Sequence, residues 1–124
     1  MKQYHILVVD DSTTNTVLLE AVLEKNGYKT DTALSVKEAI HCIDKKMPDL
    51  ILLDLLMPKV SGFDFLKQLR TDEKTRSIPV IIVSAVTNDE DIHRILQMGA
   101  VDFIKKPIDI QYLTDQIERA LPQT

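Results

Sequence analysis

Two kinds of apolar pattern alternate along the chain. Short runs rich in β-branched and aliphatic residues occupy 6–9 (ILVV), 50–53 (LILL) and 78–83 (IPVIIV), with a shorter one at 101–104 (VDFI). Near-continuous apolar runs of this length suit strands of a parallel sheet covered on both faces. The stretch 28–33 (YKTDTA) is more polar but carries β-branched threonines, as an edge strand would. Between these runs the apolar period lengthens to that of a helix. The spacing predicts a helix over 14–26 with Leu18, Ala21 and Val22 on one face and Gly27 as its stop. It predicts others over 36–45 (Ala39, Ile40, Ile43), 63–70 (Phe63, Leu66, Leu69, opened near Ser61 and Gly62), 87–98 (Ile92, Ile95, Leu96, ended by Gly99) and 108–121 (Leu113, Ile117, Ala120, Leu121).

Strands alternating with helices imply βαβ units, a parallel sheet and helices on both faces. Right-handed crossovers leave few topologies, chiefly a singly wound half or a doubly wound, flavodoxin-like sheet. The 124 residues suit a single domain over 1–124, and neither a low-complexity stretch nor a long linker divides them. A net charge of -4 gives no electrostatic footprint for nucleic acid or an anionic membrane surface. The single cysteine, Cys42, cannot form an internal disulfide, and the N-terminus lacks the apolar run of a signal peptide. A cytoplasmic protein is expected.

The first strand ends in two adjacent carboxylates, Asp10 and Asp11, with no basic neighbour in sequence. In a doubly wound sheet, ligands gather at the carboxyl ends of strands beside the switch point. The other candidate ends are Asp54 after LILL, Ser84 after VIIV, and Lys105, Lys106 and Pro107 after DFI. Three carboxylates in one pocket need a counter-charge. A hard divalent cation such as Mg²⁺, which uses one or two carboxylates plus water and phosphate oxygens, supplies it. With a lysine and a hydroxyl beside the carboxylates, the set suits phosphoryl transfer, and Asp54, between the acidic pair and the lysine, is the candidate nucleophile.

With VVDDS at 8–12, LLDLLMP at 52–58, SG at 61–62, VSA at 83–85 and GAVDFIKKP at 99–107, the chain resembles the receiver domain of two-component response regulators over nearly its whole length. The resemblance implies a (βα)5 flavodoxin-like fold with strand order 2-1-3-4-5. It implies that Asp54 accepts a phosphoryl group from a histidine kinase or phosphotransfer protein. Asp11, Asp54 and the backbone carbonyl of Leu56 would bind Mg²⁺ directly, and Asp10 through water. Lys106 would pair with the carboxylate and then the phosphate, Ser84 and the Ala85 backbone N–H would hold phosphate oxygens, and Phe103 would be the switch aromatic. The Lys106–Pro107 bond would be cis. Leu56 and Val86 would flank the approach of a hydrolytic water, which implies a slow loss of phosphate.

The output surface would be the last two helices and last strand, including Ile92, Ile95, Lys105, Ile108 and Tyr112, acting on a partner or effector domain. The protein would be a monomer or a phosphorylation-dependent dimer with no direct nucleic-acid or membrane binding. It would catalyse only its own phosphorylation and dephosphorylation. A receiver domain of a hybrid sensor kinase, acting as a phosphorelay intermediate, is the alternative.

Blander readings cover single residues only. A helix N-terminus favours Asp11, but Ser12 or Thr13 would cap as well, which leaves the pair unexplained. His5, His41 and His93 fall in different elements without metal-ligand spacing, and Cys42 suits a small core position. An aspartyl-phosphate hydrolase of the haloacid dehalogenase type would need an aspartate where Leu56 stands. A flavodoxin-like nucleotide carrier would need a hydroxyl- and glycine-rich loop where Asp10 and Asp11 stand. A pseudo-receiver serving only dimerisation would not need the full constellation.

Overall fold

The computed structural model describes residues 3–55, 61–85 and 88–121. The chain runs β1 (His5–Val9), α1 (Thr13–Lys25), β2 (Lys29–Ala33), α2 (Val36–Lys45), β3 (Leu50–Leu53), α3 (Gly62–Thr71), β4 (Val80–Ser84), α4 (Asp89–Gln97), β5 (Asp102–Lys105) and α5 (Ile110–Ala120). The five strands form one parallel sheet in the order β2-β1-β3-β4-β5, the doubly wound arrangement the resemblance implies.

The strand residues divide between two cores by their period of two. Leu7, Val9, Ile51, Leu53, Val80 and Ile82 face α2, α3 and α4, where Ala39, Phe65, Leu66 and Ile95 meet them. Ile6, Val8, Leu50, Leu52, Ile81 and Val83 face the other way, against Leu19 and Leu23 of α1 and Leu113 and Ile117 of α5. This two-sided cover is why β1, β3 and β4 read as unbroken apolar runs, whereas the edge strand β2 alternates exposed and half-buried residues before Ala33. Each helix starts on a side-chain oxygen that accepts from a backbone N–H one turn in: Ser12, Ser35, Ser61, Asn88 and Asp109. Gly27 and Gly99 end α1 and α4 with φ of +90° and +103°, which favours glycine. Among the described residues no helix is long and apolar enough to cross a membrane.

The buried face of α1 differs from the expected one. Thr16, Leu19 and Leu23 point inward, while Leu18 is 49% exposed, Ala21 is exposed and Val22 is half-buried. The segment TVLLEAVLE is apolar around most of its circumference, so periodicity alone does not choose between Leu18 and Leu19. The same one-residue ambiguity affects α4, where Ile95 is buried and Leu96 is 44% exposed. Strand limits shift by one or two residues: β4 opens at Val80, after Pro79, and β5 at Asp102, with Val101 half exposed. Leu19→Ala should therefore lower stability by about 2–4 kcal/mol, the cost of a buried cavity, and Leu18→Ala by less than about 0.5 kcal/mol. Urea unfolding of both variants checks the assignment, and equal losses would contradict it.

Candidate functional site

The register of the sheet assembles the site. Val9 pairs with Leu53, so the residues that follow, Asp10 and Asp54, leave adjacent strands side by side. Leu53 pairs with Ile82, and Ser84 with Lys105, which brings the ends of β4 and β5 to the same edge. Asp10 and Asp54 are buried and Asp11 is exposed, with one carboxylate oxygen of each lying within 4.8 Å of the others. Ser84 is wholly buried as the last residue of β4, and Ala85 follows it, exposed.

Lys106 reaches into this group across a cis Lys106–Pro107 peptide. Its Nζ donates to Asp10 Oδ2 at 3.0 Å and to Asp54 Oδ2 at 3.4 Å. The sequence suggested a lysine lying beyond Asp54, away from the acidic pair; the ammonium instead bridges the two buried carboxylates and sits nearer Asp10. Burial works to lower the Lys106 pKa. The hydrogen bond to Asp10, the charges of Asp54 and Asp10 and the hydrogen bond to Asp54 outweigh it, and hold the pKa above its ordinary 10.5. The Lys106 charge therefore stabilises the fold through the neutral range, and its contribution is lost at the alkaline end as pH rises through the raised value. Lys106 is charged throughout the neutral range.

Asp10 is further fixed by local donors. Its Oδ1 accepts from the Ser12 backbone N–H at 2.9 Å, and its Oδ2 from Asn15 Nδ2 at 3.3 Å. Asn15 is a contact the sequence reading did not single out. The other close approach comes from α3. Gly62 N–H donates to the Leu55 carbonyl at 3.0 Å, and a Cβ on Gly62 would lie 2.5 Å from Leu55 Cα and 2.6 Å from the Asp54 carbonyl oxygen. Glycine lets the start of α3 press against the backbone that carries Asp54.

Two sequence expectations, the Leu56 carbonyl and the Val86 side chain, fall outside the described residues. Phe103 is half-buried against the α2–α4 side of the core. On the face of α4, β5 and α5, Ile95 is buried and Ile92 and Ile108 half-buried, whereas Lys105 and Tyr112 are exposed. His5 is buried at the far end of β1 with its Nε2 2.7 Å from Asp31 Oδ2; the pair belongs to no metal-ligating cluster among the described residues. Cys42 is half-buried against the core.

Three carboxylates facing one ammonium leave excess negative charge, and hard oxygen donors at this spacing are compatible with a divalent metal. The arrangement offers a buried carboxylate, a charge-stabilising lysine and a hydroxyl at one open sheet edge.

Comparison with known proteins agrees with this fold. The response regulator receiver domain family matches residues 6–118. The response regulator PleD of Caulobacter vibrioides is 42% identical over 104 residues, a match covering 84% of this chain and 23% of PleD. The chain thus spans less than a quarter of that relative's length. The polar-differentiation response regulator DivK of Brucella ovis is 37% identical over 116 residues, 94% of each chain. Among solved structures, the Vibrio cholerae chemotaxis protein CheY4 superposes with a TM-score of 0.90 at 28% identity, covering 97% of this chain and all of that one. The chain belongs to the response regulator receiver domain family of two-component signalling.

Proposed function

We propose that Asp54 is the phosphoacceptor of a signalling switch. The observation that carries this reading is the buried Asp54 carboxylate sharing the Lys106 ammonium with Asp10 inside a cluster of three carboxylates. An Asp54 oxygen attacks the phosphorus of the donor. The new O–P bond forms as the bond from phosphorus to the leaving group breaks, and the electron pair departs with that group: imidazole nitrogen from a phosphohistidine, acetate from acetyl phosphate. The donor in signalling is a histidine kinase or a histidine phosphotransfer protein.

Asp11 and Asp54, with the Leu56 backbone carbonyl, would hold Mg²⁺ directly, and Asp10 through water. When bound, the cation supplies charge neutralisation of the transferred group. Lys106 neutralises the phosphoryl oxygens, and the Ser84 hydroxyl and Ala85 N–H donate to them. The reaction modifies the protein itself, so the chain is a switch rather than a turnover enzyme, working in the cytoplasm. The negative charge added at Asp54 biases the packing of Ser84 and Phe103 and thereby the face of α4, β5 and α5. The exposed Leu96, Ile110 and Tyr112 on that face suit docking of an output partner or effector domain.

Incubation with acetyl phosphate tests the reading. Intact mass should rise by one phosphoryl group only when Mg²⁺ is present, and hydroxylamine should remove the group, as it does acyl phosphates. No gain, or a gain that resists hydroxylamine, would contradict it.

A further inference from the structure

The donors on Asp10 are unevenly shared between its oxygens. Oδ1 takes the Ser12 backbone N–H, while Oδ2 takes both the Lys106 ammonium at 3.0 Å and the Asn15 carboxamide at 3.3 Å. Asn15 lies in the first turn of α1, its backbone N–H donating to the capping Ser12 hydroxyl at 3.3 Å. The cap is thus provided by Ser12, and asparagine is a weaker helix former than alanine, so helix formation does not explain the residue. Its side chain turns back toward a carboxylate five residues earlier that is only 3% exposed.

Lys106 is not committed to Asp10 alone, since Asp54 Oδ2 lies 3.4 Å from the same ammonium. A phosphoryl group on Asp54 would add charged acceptors and draw the ammonium toward them. Asp10 would then lose its charged donor while still buried, and a buried carboxylate short of a donor turns toward another. That turn spoils its place beside the cation. A carboxamide on the same oxygen prevents this without adding positive charge to a pocket that must attract Mg²⁺.

We infer that Asn15 is a positioning residue of the phosphorylation site, holding Asp10 in place when Lys106 turns to the phosphoryl group. The inference rests on the phosphoacceptor reading of Asp54. It makes the contribution of Asn15 dependent on state: small while Lys106 holds Asp10, large once it has left.

The test is Mg²⁺ affinity in two states, followed by amide NMR titration of the whole chain with and without beryllofluoride as the phosphoryl mimic. Asn15→Leu keeps a similar volume and removes the donor. Its Mg²⁺ Kd should stay within about twofold of wild type in the resting protein and weaken about tenfold in the beryllofluoride-loaded one, the size expected for one hydrogen bond to a charged group. Asn15→Gln, which keeps the carboxamide, should stay within about twofold in both states. Asn15→Ala repeats the test should the leucine variant not fold. Equal weakening in both states, no weakening in either, or a glutamine variant as impaired as the leucine one would overturn the inference. A wild-type chain that forms no beryllofluoride adduct would remove the Asp54 reading and this inference together. A normal wild-type adduct with a state-independent Asn15 effect would remove the inference alone.

Discussion

Asp54→Asn is expected to take up no measurable phosphoryl group from acetyl phosphate and Mg²⁺. The carboxamide matches the carboxylate in size, so the buried position at the end of β3 stays filled. It is a far weaker nucleophile and removes one of the three negative charges of the cluster. Loss of a nucleophile in covalent transfer slows reaction on the order of 10³-fold or more. Asp10 does not replace it readily, because its oxygens already accept from Ser12, Asn15 and Lys106. A time course of intact mass decides the matter, and labelling of the variant at the wild-type rate would contradict the assignment.

Gly62→Ala is expected to damage both fold and site. The added Cβ would overlap the Leu55 Cα and the Asp54 carbonyl oxygen, and both are backbone atoms that no rotamer change can move. The start of α3 or the end of β3 must shift instead, at a cost of about 1–3 kcal/mol in stability. Because the strained contact lies on Asp54 itself, the shift displaces Asp54 from Lys106. Phosphorylation should slow by about tenfold or more, since misplacement of reacting groups by an ångström is enough for losses of this order. Urea unfolding and labelling rates measured on the same variant check both effects. A variant with wild-type stability and rate would show that α3 relaxes away freely.

Most of the sheet and most of the site were legible in the sequence, for a physical reason. Central parallel strands are apolar on both faces, so ILVV, LILL and VIIV read as strands without help from context, and their charged or hydroxyl-bearing ends mark the open edge. What the sequence left undecided depends on direction in space. Leu18 and Leu19 are adjacent and alike, and only packing against β1 and its neighbours selects Leu19. The SG at 61–62 marked a helix start, but the need for a missing side chain at Gly62 arises from the Leu55 backbone beside it. Asn15 carried no signal, since asparagine in a first helical turn is ordinary and its contact with Asp10 depends on how α1 leaves the strand. Lys106 was expected beyond Asp54, and its bridging position follows from the reach of its side chain over two adjacent strand ends.

The most direct measurement is the location of the phosphoryl group. The labelled protein is treated with borohydride, which reduces an acyl phosphate to the alcohol, and the modified peptide is then sequenced by mass spectrometry. Reduction at Asp54, converting that residue to homoserine, is the expected result. Reduction at Asp10, Asp11 or any other carboxylate, with Asp54 unmodified, would contradict it.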